Sequence, residues 1–195
     1  GKHTDIRRFT TIWMDTIRGG QFGLSNTNKL IRFYDGATGL KTGSTDAAGY
    51  CISATAERDG MELIAVVLGG ETSQQRFEDA KTLLNYGFSA YALADVTPAE
   101  APLVPIRLGR SPTVAAELPQ SKLLVSKGQA GSLTQAVTLR EDLSAPIAKG
   151  SPVGTLTVKS GDTVLAELPL TSAADVERMS WSDLFLRLLQ GAVFG

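Results

Sequence analysis

Six consecutive apolar residues, Leu63-Ile64-Ala65-Val66-Val67-Leu68, follow the turn signal Arg58-Asp59-Gly60. Residues 50–57 precede that turn and residues 61–68 follow it, so the segment reads as a β-hairpin. A strand apolar on both sides of its pleat is expected to be covered on both faces. A helix should follow. Thr72-x-x-Gln75 matches a capping box, and Phe77, Ala80 and Leu84 recur at helical spacing. Gly87 stands where a C-terminal cap is expected. This order of strands and helix predicts an α+β domain.

The rest of the first half fits the same class. Residues 11–17 and 22–25 flank Gly19-Gly20 and read as a smaller hairpin. Near residue 95 the chain changes. Asp95-Val96-Thr97-Pro98-Ala99-Glu100-Ala101-Pro102 carries two prolines, which disfavour helix and suit an interdomain linker. Beyond it, short runs at 103–108, 113–118, 122–125, 133–139, 153–159 and 164–170 alternate with turn residues such as Lys127-Gly128 and Ser160-Gly161-Asp162. Regular short strands without helical periods predict a small all-β, sandwich-like domain. The expected organisation is therefore 1–93, 94–176 and a terminal segment 177–195.

That terminal segment reads as an amphipathic helix over residues 179–194. Trp181, Leu184, Phe185, Leu188 and Leu189 share one face. The helix either packs on its own domain or lies in a membrane interface, and both cases demand the same stripe. Its terminal position favours the membrane surface. No run is long enough to span a bilayer.

Composition removes several functions. The 195 residues hold 19 Lys and Arg against 20 Asp and Glu, so the basic excess of a nucleic-acid binder is lacking. A single Cys and a single His exclude an internal disulfide framework, a Cys-cluster metal site and any chemistry needing two histidines within these residues. Cys51 is expected to be a small buried strand residue, His3 a surface residue, and Trp13 a core or cleft-wall residue. Asn26 and Asn28 are expected to bond the backbone around a turn.

One short motif carries chemistry: Leu40-Lys41-Thr42-Gly43-Ser44-Thr45 contains K-T-G. On a strand edge, an ammonium and a hydroxyl can hold a carboxylate. Glycine admits a substrate backbone, and the next N–H can face a developing oxyanion. By itself the tripeptide is a weak signal, and taken alone it is better explained by a surface lysine in a turn.

The wider pattern runs through Ile12-Trp13-Met14-Asp15-Thr16, Leu24-Ser25-Asn26-Thr27-Asn28-Lys29-Leu30, Gly39 to Thr45, Ala48-Gly49-Tyr50 and Val66-Val67-Leu68-Gly69-Gly70 to Tyr86-Gly87-Phe88. It resembles the serine-type D-alanyl-D-alanine carboxypeptidases, the low-molecular-mass penicillin-binding proteins. The resemblance is strong over residues 12–88 and architectural beyond about residue 95. It implies the C-terminal part of a penicillin-binding, β-lactamase-like transpeptidase domain, then a β-rich domain, then a membrane-anchor helix of Trp181, Leu184, Phe185, Leu188 and Leu189.

That family needs S-x-x-K, S-x-N and K-T-G, and only K-T-G is in these residues. Ser132-Leu133-Thr134-Gln135 ends in Gln, and Ser25-Asn26-Thr27 has Thr in its third position. The expected reading is a C-terminal portion whose other two elements precede it. The resemblance implies catalytic roles for Lys41 and Ser44 and substrate-binding roles for Lys41, Thr42, Gly43 and Thr45. Thr45 serves equally well as an ordinary strand residue. The implied reaction removes the terminal D-alanine of a peptidoglycan stem pentapeptide through a serine acyl-enzyme that β-lactams also form. No metal or cofactor is implied. The implied location is peripheral, on the periplasmic side of the bacterial cytoplasmic membrane. The implied partners are stem peptide, β-lactams, the membrane surface and the N-terminal complement, without nucleic acid. The chain alone is expected to be inactive, and the apolar strand is expected to leave hydrophobic area exposed or to meet a partner chain. The alternative is a non-catalytic β-rich module that binds or spaces at the membrane surface.

Overall fold

The computed structural model describes residues 4–98 and 100–185. The chain forms two compact units, Gly1–Leu93 and Ala94–Gly195.

The first unit opens with a 3-10 turn, Thr4–Ile6, and a short helix α1 (Arg7–Thr10). Strands β1 (Met14–Ile17) and β2 (Phe22–Ser25) form the small glycine-turn hairpin, with Ile17 opposite Phe22. A single helical turn, α2 (Leu30–Phe33), leads to β3 (Ala37–Thr45), β4 (Gly49–Arg58) and β5 (Met61–Gly70). These three make one antiparallel sheet in the order β3-β4-β5. The β4–β5 turn is Asp59-Gly60, and both residues have positive φ, 51° and 76°. That pair of conformations defines a type I′ turn, whose twist matches the strands it joins.

Helix α3 (Ser73–Ala90) covers one face of this sheet. Thr72 caps it by accepting the Gln75 N–H at 3.1 Å. Ile52, Ala54, Ala56, Ala65 and Val67 from the sheet meet Phe77, Ala80, Leu84 and Phe88 from the helix. The helix does not stop at Gly87 but continues three residues further. Gly87 has a packing role instead. A Cβ there would lie 2.5 Å from Leu63 Cδ1, so a bare Cα lets helix and strand approach.

The other face of β5 is uncovered, contrary to the two-sided burial its hydropathy predicts. Ile64, Val66 and Leu68 are 65%, 56% and 75% exposed, whereas the alternating Ala65 and Val67 are buried. Hydrophobic area is therefore exposed at this strand.

The strand β6 (Tyr91–Asp95) runs through the division between the units. The second unit contains β7 (Leu103–Pro105), β8 (Thr113–Glu117), β9 (Lys122–Ser126), a one-turn helix α4 (Lys127–Ala130), β10 (Leu133–Leu139), β11 (Pro152–Ser160) and β12 (Thr163–Ser172). Lys127-Gly128, expected as a turn, begins α4. Five strands form one antiparallel sheet in the order β10-β11-β12-β8-β7. Val104, Val153, Leu156, Val158 and Leu170 are wholly buried at its centre.

Residues 181–185 begin a helix. Ser180 and Asp183 cap it reciprocally. The Ser180 N–H donates to Asp183 Oδ2 at 2.9 Å, and the Asp183 N–H donates to Ser180 Oγ at 3.2 Å. Of the expected anchor face, Trp181 is 87% and Phe185 62% exposed, and Leu184 is half-buried. Leu188 and Leu189 lie outside the described residues, as does His3. No helix among the described residues is long and apolar enough to cross a membrane.

Candidate functional site

K-T-G lies in β3, the edge strand of the first unit's sheet. Its register is Lys41 opposite Ser53, Thr42 opposite Ile52, Gly43 opposite Cys51, Ser44 opposite Tyr50 and Thr45 opposite Gly49. Strand alternation divides these side chains. Lys41, Gly43 and Thr45 share the uncovered face with Cys51, Ser53 and the apolar strip Ile64-Val66-Leu68. Thr42 points with Ile52 and Val67 towards the face that α3 covers.

Each motif residue then has a distinct setting. Lys41 is exposed, and its ammonium donates to the carbonyl of Thr42. Thr42 is 6% exposed, with its hydroxyl 2.7 Å from that of Thr27. Ser44 is exposed at the strand's outer end. The Thr45 hydroxyl accepts the Ala48 N–H at 3.0 Å and so braces the β3–β4 turn. Gly43 has nothing within 4 Å of the place a Cβ would occupy, and its φ lies outside the left-handed region. Neither packing nor backbone conformation requires glycine here, so the open space over Gly43 is available to something outside the chain.

The strand is held in place by residues the sequence reading passed over. Arg76, from the first turns of α3, is 7% exposed. Its Nη1 donates to the carbonyls of Gly43 at 3.2 Å and Cys51 at 3.3 Å. Its Nη2 donates to Ser73 Oγ at 3.3 Å. The guanidinium also lies over the rings of Phe77 and Tyr50, at 4.7 and 5.4 Å. A buried cation thus ties the K-T-G glycine to helix α3. In sequence it is one arginine in a helix, and its partners lie 33 and 25 positions away.

The two asparagines behave as expected. Asn26 Nδ2 donates to the carbonyls of Thr10 and Ile12, and its Oδ1 accepts the Asn28 N–H. Asn28 is 1% exposed and joins Gly39 O to the Leu30 N–H. They fasten α2 to the start of β3. Arg7 adds a second clamp, donating to Glu57 and Glu62 at 2.5 Å each. Cys51 is half-buried, not buried as expected, with its thiol 3.4 Å from the Ala48 carbonyl. Trp13 packs edge-on against Phe33, with ring centroids 5.9 Å apart.

Burial pushes the Tyr34 phenol above its ordinary range, while the guanidinium of Arg58 opposes that shift. Tyr34 donates to Asn85 Oδ1 at 2.8 Å, which ties α2 to α3. The Ser180 backbone N–H, then its hydroxyl, hold the Asp183 carboxyl below its usual range. No group of three or more His, Cys, Asp or Glu among the described residues could hold a metal ion.

The candidate site is thus an exposed, glycine-opened edge strand bearing K-T-G, braced from behind by a helix. Comparison with known proteins gives the family. Residues 2–72 match the family model of the D-alanyl-D-alanine carboxypeptidases, and residues 101–178 match that of the C-terminal domain of penicillin-binding protein 5. The chain belongs to the serine-type D-alanyl-D-alanine carboxypeptidases, the low-molecular-mass penicillin-binding proteins. It is 31% identical to the carboxypeptidase DacF of Bacillus subtilis, over 96% of this chain and 50% of that one. It is 32% identical to DacC of Escherichia coli, over 71% of this chain and 36% of that one. Penicillin-binding protein 5 of Haemophilus influenzae superposes with a TM-score of 0.75 at 25% identity, over 88% of this chain and 51% of that one. The chain spans at most half the length of the curated relatives it matches.

Proposed function

We propose that this chain is the K-T-G-bearing portion of a carboxypeptidase that removes the terminal D-alanine from peptidoglycan stem pentapeptides. The observation that carries the reading is Gly43, a glycine on an exposed edge strand that neither packing nor φ demands. A substrate backbone lies along β3 as an added strand, and the empty position over Gly43 lets it approach. Lys41 supplies positive charge for the terminal carboxylate and for the proton network of a serine. The Thr42 hydroxyl reaches that carboxylate on exchanging its Thr27 partner. The backbone N–H of Ser44 faces the developing oxyanion, paired with the N–H of the serine itself. Thr45 contributes at the strand end, through the turn it braces. Arg76 positions the strand through the Gly43 carbonyl.

The serine attacks the D-Ala–D-Ala amide carbonyl, D-alanine leaves with a proton, and water then hydrolyses the acyl-enzyme. A β-lactam acylates the same serine and its opened ring stays attached. S-x-x-K and S-x-N are supplied by residues preceding this chain in its parent protein. The apolar strip Ile64-Val66-Leu68, on the Lys41 face, is the surface they cover. The helix starting at residue 181 holds the protein peripherally at the periplasmic side of the cytoplasmic membrane. The exposed Trp181 and Phe185 support that part.

The test is a fluorescent penicillin. The 195-residue chain should take up no covalent label, whereas the parent protein should, with Lys41→Ala abolishing it. Labelling of the chain itself would overturn its inactivity. A parent gene without S-x-x-K upstream would overturn the carboxypeptidase reading in favour of a membrane-surface binding module. For the anchor, flotation with anionic liposomes should be lost on truncation before Met179, and equal flotation would refute it.

A further inference from the structure

The two edges of the second unit's sheet are guarded very differently. The β7 edge is three residues long and ends in Pro105, and short edges and prolines block strand addition. The β10 edge is seven residues long, Leu-Thr-Gln-Ala-Val-Thr-Leu, with no charge, proline or glycine. Its seven pairs with β11 run without a register shift, so no bulge turns it aside. Residues 134–138 are all exposed.

The sequence of this strand is nearly its own mirror image about Ala136. An antiparallel second copy centred there sets Leu133 against Leu139, Thr134 against Thr138 and Ala136 against itself. The one mixed pair is Gln135 with Val137. No like charges meet, and Thr–Thr and apolar cross-strand pairs are favourable. The backbone agrees with this register. The Arg140 N–H donates to the Val153 carbonyl at 3.0 Å, so even-numbered residues bond inwards to β11 and odd-numbered ones face outwards. Outward-facing residue 135 then meets outward-facing 137 of the second copy, and 133 meets 139. The odd residues of both strands together form about eight hydrogen bonds, with Ala136 a close, non-bonded pair at roughly 4.5 Å between Cα atoms.

The odd-numbered face of the strand gains cover. Leu133, Gln135 and Val137 line a groove of about 530 Å³ together with Thr97 and Glu100. Val137 is 40% exposed there, and the second copy's Gln135 would lie over it.

We propose that β10 is a homodimerisation edge, on which a second copy of this chain adds its own β10 antiparallel about a two-fold axis at Ala136. The contact is isologous and closes on itself, so it gives dimers and not fibres. A single strand pair is small beside the roughly 1,600 Å² of a standard interface, so the dimer is weak and reversible.

Sedimentation of the full 195-residue chain over a concentration series tests this. The expected result is a monomer–dimer equilibrium. Ala136→Lys and Ala136→Glu should each raise the dissociation constant by about tenfold or more, because like charges then meet on the axis. An equimolar mixture of the two variants should recover the dimer, which also shows that both remain folded. In a Cys51→Ala background, Ala136→Cys should give a disulfide-linked dimer on mild oxidation. A chain that stays monomeric, a dimer indifferent to Ala136→Lys, or variants that fail to pair when mixed would each overturn the proposal. So would a monomer whose β10 edge takes up only unrelated extended peptides.

Discussion

The two units bury their apolar residues by different rules. In the second unit, Leu156 and Leu170 are wholly buried and the sheet's centre is closed. In the first, β5 is apolar on both sides of its pleat, yet Met61, Ala65 and Val67 are covered while Ile64, Val66 and Leu68 face solvent. Hydropathy alone would rank β5 as the most buried strand of the molecule. Among the described residues the long helix α3 covers one face, and on the other the short α1 reaches only β3 and the Glu57–Glu62 end. The difference puts the K-T-G edge on the sheet whose apolar strand is bare on one side.

Core truncations should make the largest difference between the units. Leu84→Ala and Leu156→Ala should each cost roughly 2–5 kcal/mol. Trp13 and Trp181, one in each unit, report them separately in fluorescence-monitored denaturation. On β5 the same experiment separates neighbours. Val67→Ala should cost on the order of 1–2 kcal/mol, and Val66→Ala should stay within about 0.5 kcal/mol. Equal costs would mean that both faces are covered in solution, and the comparison would fail.

Next in size is Arg76→Met. It leaves the Gly43 and Cys51 carbonyls without their charged donor, and roughly 1–3 kcal/mol should be lost from the first unit. In the parent carboxypeptidase, β-lactam acylation should slow further than this loss of stability explains. Gly43→Ala should separate stability from function most cleanly. The melting temperature of the chain should barely move, since the added methyl meets nothing within 4 Å. Acylation of the parent protein should fall, since that methyl occupies the substrate's place. A stability loss comparable to that of Arg76→Met would contradict the open geometry at Gly43.

The smallest effects are pH-dependent and differ in sign between the units. The lowered Asp183 carboxyl favours its ionised, capping form. Its contribution is full above the ordinary aspartate pKa and is lost as pH falls through the lowered value. Trp181 emission should follow that loss and should be pH-insensitive over the same range in Asp183→Asn. The raised Tyr34 phenol behaves oppositely. Its contribution is full below the ordinary tyrosine pKa and is lost as pH rises through the raised value. Alkaline denaturation should therefore begin in the first unit, and Tyr34→Phe should remove that step.

Much of this was legible in the residues. Arg58-Asp59-Gly60 announced the β4–β5 hairpin, Thr72 and Gln75 announced the start of α3, and the β10, β11 and β12 runs were located to within two residues at either end. K-T-G and its surroundings led to the family. Arg76 was not legible, because its partners are backbone carbonyls of two strands that only the folded sheet brings to one helix. The Ser180–Asp183 cap could have been found, since S-x-x-D before an apolar run is a start signal. Gly87 was misread because a glycine near a helix end has two uses, terminating the helix or admitting a neighbour, and the neighbour, Leu63, belongs to another element.

By itself the sequence determined the strands, the turns between them, the helix that follows and the family they belong to. Those features depend on local periodicity and turn chemistry, which are written within a few neighbouring residues. Only the tertiary structure decided which face of β5 is bare, which cation braces the K-T-G strand and which sheet edge is free. Each of these depends on elements distant in sequence, and the physical quantity at stake, burial, belongs to the assembled layers and not to any residue's own hydropathy.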